Sequence, residues 1–384
     1  MEKYPWSYAE NTMKMYKERQ KKNKTHYNGW AVLTEETLYN LLYGERSNGK
    51  TYFVLELMII DFCLNGNAGG LIRRWDTDFS GKNGQAMFSN LVANGVVKEL
   101  TNGEWTDIKY ESYRWYLCKY DDKLGKWIRN SEPLCYAFAI NIAEHSKSVS
   151  FPTIKTVLFD EFITRRAYIP NEFVEFMNIL STIIRDRDNV RIFMCGNTVN
   201  KFCPYFAEMG LTDIDKMQIG TRRVYRFGET NTSVTVEYTD KPVKAKKSDI
   251  YFAFNNPKLQ MITNGAWEID IYPHLPCKYE SKNIRSIYFV EFQRTMLQCE
   301  VIQVDNKLFT YVHRKTSPLK YPDKERVYSP VYDPRPNWHR KLTASSDTYS
   351  RNAYHFYSQD RVYYADNEVG EIMRNYLLWC RTGE

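Results

Sequence analysis

Residues Gly44 to Thr51 read G-E-R-S-N-G-K-T, a complete G-x-x-x-x-G-K-[ST] loop, and a later apolar run, T-V-L-F-D-E-F, ends in the adjacent carboxylates of Asp160 and Glu161. Phosphate binding demands the first pattern. Gly44 and Gly49 let the backbone curl so that successive N–H groups, including those of Glu45, Arg46, Ser47 and Asn48, face phosphate oxygens at a helix N-terminus whose dipole favours anions. Lys50 would neutralise the β- and γ-phosphates, and the Thr51 hydroxyl would ligate Mg²⁺. In the second pattern Asp160 would hold Mg²⁺ through water and Glu161 would polarise the attacking water as general base. A D-E pair alone is a weak signal, but beside the loop it predicts a nucleotide-hydrolysing motor using ATP and Mg²⁺.

The flanking sequence supplies the elements that must hold these groups. Leu38 to Tyr43 reads as a strand entering the loop, and Tyr52 to Leu64 as an apolar helix leaving it. Thr156 to Phe159 has the continuous apolar character of a parallel strand buried on both faces. A third run, Val190 to Cys195, ends in Gly196-Asn197-Thr198. In motor ATPases of this layout a polar residue at that tip senses the γ-phosphate, which makes Asn197 the candidate sensor, the alternative being an Asn that caps the next turn. Residues 1–240 thus read as an α/β motor domain. Within it a Tyr- and Trp-rich insertion, Ile108 to Ile142, has the pattern of antiparallel strands: I-K-Y-E-S-Y-R-W-Y-L-C-K-Y, a D-D-K-L-G-K turn, then K-W-I-R and Y-A-F-A-I-N. Residues 241–282 read as a linker or lid. From 283 to 384 three β runs, joined at Gln293-Arg294 and Asp305-Asn306, lead through a polar stretch to an amphipathic helix, Asn367 to Cys380.

Composition bounds the partners. The 384 residues suffice for two domains, and the net charge of +7 is unevenly spread. Lys14, Lys17, Arg19, Lys21, Lys22 and Lys24 crowd the start, and Lys241, Lys244, Lys246 and Lys247 sit together; both clusters suit a phosphate backbone or a solvated lysine-rich face. No run reaches membrane-span length and no signal-peptide core is present, so no membrane partner is expected. The eight cysteines lack C-x-x-C spacing, and Cys63, Cys118, Cys195 and Cys299 fall in apolar runs, as free core thiols of a reducing compartment do. The six histidines show no zinc-ligand spacing. Trp30, Tyr39 and Tyr43 are open to two readings, adenine stacking or core.

The runs T-V-L-F-D-E-F-I, Y-I-P-N-E (Tyr168 to Glu172), I-I-R-D-R-D-N-V-R (Ile183 to Arg191), G-N-T-V-N and P-Y-F (Pro204 to Phe206) closely resemble the genome-packaging ATPases of small short-tailed double-stranded DNA phages, compact relatives of the terminase large subunits. The likeness is dense from Leu38 to Phe206 and thins towards the C-terminus. The chain departs from that family at Asp76 in R-R-W-D, where a basic residue is usual, and in a longer lid. The resemblance implies a RecA/ASCE-type P-loop ATPase domain, a linker or lid, and a smaller, vestigial RNase H-like α/β domain. It implies a homopentameric ring at the portal vertex of a prohead in the host cytoplasm, driving double-stranded DNA inward. Its further partners would be the portal connector and, as a candidate, a packaging RNA. Arg185 would complete a neighbour's active site as a trans-acting finger, with Arg187 second in line, or the two would belong to a solvated helix end. Arg46 would sense phosphate in cis or pair with a carboxylate. Lys147 would face the channel or a neighbour, or sit on an exposed loop.

A live terminase nuclease needs several converging carboxylates for two metals. The C-terminal zone offers Glu291 on its first strand and Asp366 and Glu368 at its last helix, but no central acid, so the resemblance implies lost cleavage and nucleic-acid or portal docking instead. Arg314, Lys315, Arg340 and Lys341 are compatible with such a partner and with plain solubility. Two other readings stay open: a terminase with an active nuclease, and a non-viral helicase or translocase.

Overall fold

The computed structural model describes residues 4–22, 25–142, 150–166, 168–228, 232–240, 267 and 270–382. Lys24, Lys147, the 241–247 lysines and most of the expected linker lie outside these residues. The protein is mixed α/β, and its backbone contacts divide it into two compact units. The first comprises Met1–Arg165, Glu172–Lys201 and Glu208–Trp267; the second comprises Arg166–Asn171, Phe202–Ala207 and Glu268–Glu384.

The first unit is built on one large sheet. Its strands in chain order are β1 (Tyr39–Gly44), β2 (Ala68–Arg73), β3 (Asp107–Glu111), β4 (Arg114–Asp121), β5 (Lys126–Arg129), β6 (Cys135–Ala139), β7 (Ile154–Asp160), β8 (Arg191–Asn197), β9 (Arg222–Phe227) and β10 (Thr232–Thr239). In space they run β3-β4-β6-β2-β7-β8-β1-β10-β9, with β5 paired to β4. From β6 to β10 the neighbours are parallel. Leu41, Leu42, Tyr43, Val157, Leu158, Phe159, Ile192, Phe193 and Met194 are all buried, as expected of parallel strands covered on both faces. Strand β8 lies between the strand entering the phosphate loop and the strand ending in Asp160.

The Lys50–Asn65 helix is buried almost around its whole circumference, from Phe53 to Phe62. Such a helix must be covered on its outer side as well. The Glu10–Lys22 helix does this, Arg19 reaching Glu56 at 2.8 Å and Thr12 Oγ1 donating to Asp61 at 2.8 Å. Arg19 and Lys22, read above as part of a basic cluster, both pair with Glu99 at 2.8 Å. The buried Arg191 guanidinium donates to the carbonyls of Val32 and Leu33 and to Asn40 Oδ1, tying the start of β8 to the Trp30–Thr34 helix.

The insertion does form antiparallel strands, but I-K-Y-E-S-Y-R-W-Y-L-C-K-Y is not one of them. It splits into β3 and β4 at Ser112-Tyr113, both with positive φ (50° and 60°), and Glu111 faces Arg114 across the turn. That is the geometry of a two-residue I′ hairpin made without Asn or Gly.

The second unit has a six-stranded sheet. Strands β11 (Ile284–Phe292), β12 (Thr295–Val304) and β13 (Lys307–Arg314) form an antiparallel meander; β14 (Val327–Tyr328), β15 (Trp338–His339) and β16 (Val362–Tyr364) flank it in parallel, in the order β15-β14-β11-β12-β13-β16. The two expected turns are again two-residue loops with positive φ, at Gln293-Arg294 (47° and 67°) and Asp305-Asn306 (47° and 59°). Strand alternation sends Tyr288, Val290, Phe292, Leu297, Cys299 and Val312 to one face, where Val369, Ile372, Met373 and Tyr376 of the Asn367–Thr382 helix cover them. Among the described residues no helix is long and apolar enough to cross a membrane.

Candidate active site

The phosphate loop is held by its own Asn48. Asn48 Nδ2 donates to Thr239 Oγ1 at 2.7 Å, while Oδ1 accepts from the Lys50 amide (3.3 Å) and the Lys50 amine (3.1 Å). The Tyr27 N–H donates to the Asn48 carbonyl at 2.7 Å, laying the preceding segment against the loop. Glycine is required at position 49: φ is +97°, and a Cβ would stand 2.7 Å from His26 Cβ and 2.8 Å from Tyr27 N. Ser47 also has positive φ, at 60°. Arg46 and Glu45 lie within this curl, at the exit of β1.

Lys50 opens the helix and its side chain folds into the loop, where Nζ donates to the Glu45 carbonyl at 2.7 Å. Burial pulls its pKa down to about 8, against the opposing pull of nearby Asp160 and Glu45. The next residue closes the link to the second motif. Thr51 Oγ1 donates to Asp160 Oδ1 at 2.6 Å, across more than a hundred residues of chain. A hydroxyl and a carboxylate held together are hard oxygen donors of the kind Mg²⁺ takes beside substrate phosphates, so the pair fits that ion.

Two arginines at the end of β2 complete the arrangement. Arg73 binds Asp160 Oδ2 at 2.8 Å with one nitrogen and Glu161 Oε2 at 2.7 Å with the other. Burial opposes its charge, but the two carboxylates outweigh burial and hold its pKa above the ordinary value. Arg74 points the other way into a buried bidentate pair with Glu172, at 2.7 and 2.8 Å, and donates to the carbonyls of Glu161 and Phe162 at 3.1 and 2.9 Å. It thereby fixes the turn after β7, where Glu161 sits at φ 60° with its carboxylate 60% exposed. The Glu of Y-I-P-N-E is thus an anchor for the site's backbone. The sequence reading assigned no role to Arg73, Arg74 or Glu172, although an R-R doublet ending a buried strand was a signal, because ligands of open α/β sheets gather at the carboxyl ends of the strands.

Asn197 ends β8 in register with Gly44, the first residue of the loop, and the following Thr198 N–H donates to the Gly44 carbonyl at 3.2 Å. Asn197 therefore stands beside the loop. Arg185 lies elsewhere, exposed just past the Glu172–Ile184 helix with φ 49°, its N–H donating to the Ser181 carbonyl at 2.9 Å. Arg187 is committed to structure: its guanidinium donates to the carbonyls of Phe151, Pro152, Ile154 and Ile183 at 2.7 to 3.0 Å.

Of the aromatic residues open to an adenine role, Tyr43 is core, fully buried against Tyr238 and Trp267 at 4.7 and 5.2 Å. Tyr39 begins β1, so it is at the opposite end from the loop, lining a cavity of about 550 Å³ with Met177, Phe227 and Val234. Trp30 lies under the Lys17 amine at 5.0 Å. Beside the loop the aromatic pair is His26 stacked on Tyr52, centroids 4.1 Å apart.

In the second unit the acids of the sequence reading have local partners. Glu291 accepts from Ser329 Oγ at 3.0 Å, Asp366 caps the last helix through the Val369 N–H at 2.8 Å, and Glu368 pairs with Arg314 at 2.7 Å. Of the basic residues, Lys315 reaches Ser317 Oγ at 2.6 Å, and Arg340 and Lys341 lie over the Trp379 ring at 5.6 and 6.0 Å. Among the described residues no group of three or more His, Cys, Asp or Glu could hold a metal ion.

Known proteins are similar to this chain in sequence and in fold. The packaging protein of Bacillus phage phi29 is 29% identical over 194 residues, which cover 50% of this chain and 52% of that one. The chain is thus matched to about half the length of its curated relatives. Over 91% of the chain the fold is similar to the bacteriophage Phi-29 viral genome packaging motor assembly (TM-score 0.52, 18% identity, 96% of that chain) and to the Phi-28 gp11 DNA packaging motor (TM-score 0.50, 19% identity, 97% of that chain). The family model for the podovirus DNA encapsidation protein (Gp16) matches residues 21–221, more than half of the sequence, including the phosphate loop and Asp160-Glu161, and the chain belongs to that family.

Proposed function

We propose that this chain is the ATP-hydrolysing subunit of a ring-shaped motor that drives double-stranded viral DNA into a preformed prohead at its portal vertex. The observation that carries the reading is the 2.6 Å hydrogen bond from Thr51 to Asp160, which joins the phosphate loop to the acidic strand end as a hydrolytic P-loop site requires. Support for a RecA/ASCE-type core comes from β8 lying between β1 and β7, and for a vestigial RNase H-like domain from an antiparallel meander with parallel flanking strands and a covering last helix. The portal belongs to this reading as a partner, with a packaging RNA as a candidate.

In the proposed mechanism the loop N–H groups and Lys50 hold the β- and γ-phosphates of ATP. Mg²⁺, which Thr51 and Asp160 would hold, supplies charge neutralisation there when bound. Glu161 takes a proton from the attacking water, whose oxygen forms the new bond to the γ-phosphorus while the bridging oxygen leaves with its electron pair on ADP. Arg73, bound to each carboxylate through a different nitrogen, holds the two side chains in place. Arg185 of a neighbouring subunit stabilises the charge on the transferring group, with Arg46 sensing phosphate in cis. Asn197, beside Gly44, reports γ-phosphate loss along β8. The deciding experiment is ATPase rate against protein concentration, with and without duplex DNA, for wild type, Arg185→Ala, Glu161→Gln and an equimolar mixture of the two variants. Activity in the mixture that neither variant shows alone supports a shared site. Activity independent of concentration, with Arg185→Ala silent, overturns it.

A further inference from the structure

Strand β4 outruns its neighbour. It pairs with β3 only from Arg114 to Cys118, and among the described residues its last ones, Lys119, Tyr120 and Asp121, pair with β5 alone, opposite Ile128, Trp127 and Lys126. A two-stranded ribbon therefore projects from the edge of the large sheet, and a ribbon of this size buries too little to be built for stability. Among its charged residues three large apolar side chains stand in solvent: Tyr120 is 49%, Trp127 51% and Leu124 at the tip 60% exposed. Tyr120 and Trp127 face each other edge-on at 5.8 Å, and further down the same face Arg129 lies 3.9 Å over the Tyr116 ring. Lys123 and Lys126 are exposed at the tip beside the exposed Asp122, while the Asp121 carboxylate is engaged in the turn, accepting from the N–H groups of Lys123 and Leu124 at 2.9 and 3.0 Å.

We infer that the 119–129 ribbon binds a single-stranded segment of nucleic acid, its bases stacking on Trp127 and Tyr120 and its phosphates meeting Lys123 and Lys126. Exposed π-faces interleaved with cations fit unpaired bases, which stack on aromatic rings without regard to sequence, whereas the outside of a duplex presents phosphates and no free base face. The inference rests on the nucleic-acid motor reading and specifies a contact that reading leaves open. The test is anisotropy of fluorescein-labelled oligo-dT, oligo-rU and a mixed-sequence duplex, titrated with the full chain. The variants are Tyr120→Ala/Trp127→Ala, Trp127→Phe and Lys123→Glu/Lys126→Glu, each checked for unchanged thermal unfolding and ATPase. The double aromatic variant is expected to weaken single-strand binding at least roughly tenfold, with Trp127→Phe close to wild type and duplex binding nearly unchanged. The charge variant should flatten the salt dependence, and the dT and rU arms tell DNA from RNA. Folded, active variants that bind single strands like wild type overturn the inference, as does an aromatic variant whose only change is loss of self-association, which would make the ribbon a subunit contact. A wild-type chain that binds neither strand nor duplex overturns the motor reading as well, a distinct result.

Discussion

At the scale of single residues, the site is organised by a guanidinium that belongs to neither sequence motif. Arg73 holds Asp160 and Glu161 with separate nitrogens, and both Arg73 and Asp160 are largely buried. Removing one partner of a buried pair strands the other charge, which costs about 3–5 kcal/mol. Glu161 is mostly exposed and screened, so nearly all of that cost falls on Asp160. Arg73→Ala is therefore expected to lower the thermal midpoint by several degrees and to weaken magnesium-nucleotide binding, measured by calorimetric melting and by titration with a fluorescent ATP analogue. Arg73→Lys should restore part of the loss, because an ammonium can meet Asp160 but lacks the planar fork that holds both carboxylates. An Arg73→Ala protein with wild-type melting and nucleotide affinity would show the contacts to be idle. The G-E-R-S-N-G-K-T loop was legible because its chemistry is local and its spacing fixed. Arg73 was not, because its meaning comes from β2 lying next to β7 in the sheet, which no spacing in the chain reports.

At the scale of elements, turns and one polar cluster set the behaviour of the second sheet. Gln293 and Arg294 both occupy the left-handed region, which costs a non-glycine residue roughly 1 kcal/mol or more. Gln293→Asn/Arg294→Gly, the preferred pair for a I′ turn, should raise stability by about 1 kcal/mol in urea unfolding; a loss would mean that the native side chains contribute more than the turn strain. The meander's hairpins were legible from polar pairs between β runs, whereas Ser112-Tyr113 was not, since nothing in E-S-Y-R marks a turn. On the face of the meander opposite the last helix, Glu300 is buried and accepts from Tyr279 at 2.7 Å and Gln298 at 2.6 Å, with His313 Nε2 at 3.2 Å. The Glu300 contact raises the His313 pKa above its ordinary 6.5, against burial, and for Glu300 burial is outweighed by these hydrogen bonds, which hold its pKa below 4.5. The histidine's contribution is complete below pH 6.5 and lost as pH rises through its folded value. The glutamate's is complete above pH 4.5 and lost as pH falls through its folded value. The pair should thus stabilise most between about pH 4.5 and 6.5, and His313→Gln should lower the urea midpoint there while leaving pH 8.5 nearly unchanged. A uniform loss across that range would assign His313 to packing.

At the scale of the whole molecule, a translocating motor must bind any sequence and must tie that grip to the nucleotide. Phosphate contacts meet the first need, since they carry no sequence information and are paid for by counterion release. The net charge of +7 is modest, and Arg19 and Lys22 of the N-terminal cluster are engaged with Glu56 and Glu99, so only part of the basic complement is available to DNA. If about four to six phosphates are neutralised, log affinity should fall against log salt with a slope of about −4 to −5, and duplexes of unrelated sequence should bind within twofold of one another. Strong sequence preference, or salt-insensitive binding, would contradict a translocating grip. For the second need the proposed reading points to β8. Its tip, Asn197, is in register with Gly44, while its middle is packed between β1 and β7, so a displacement at the loop has a rigid, buried strand through which to act. Asn197→Ala should therefore keep nucleotide affinity within about twofold and retain basal hydrolysis, yet show none of the stimulation by DNA that the proposed motor predicts for the wild-type rate. The two readouts must be taken on the same preparation. If basal and stimulated rates fall together, Asn197 acts in the chemical step itself; if neither moves, it caps a turn and the coupling runs elsewhere.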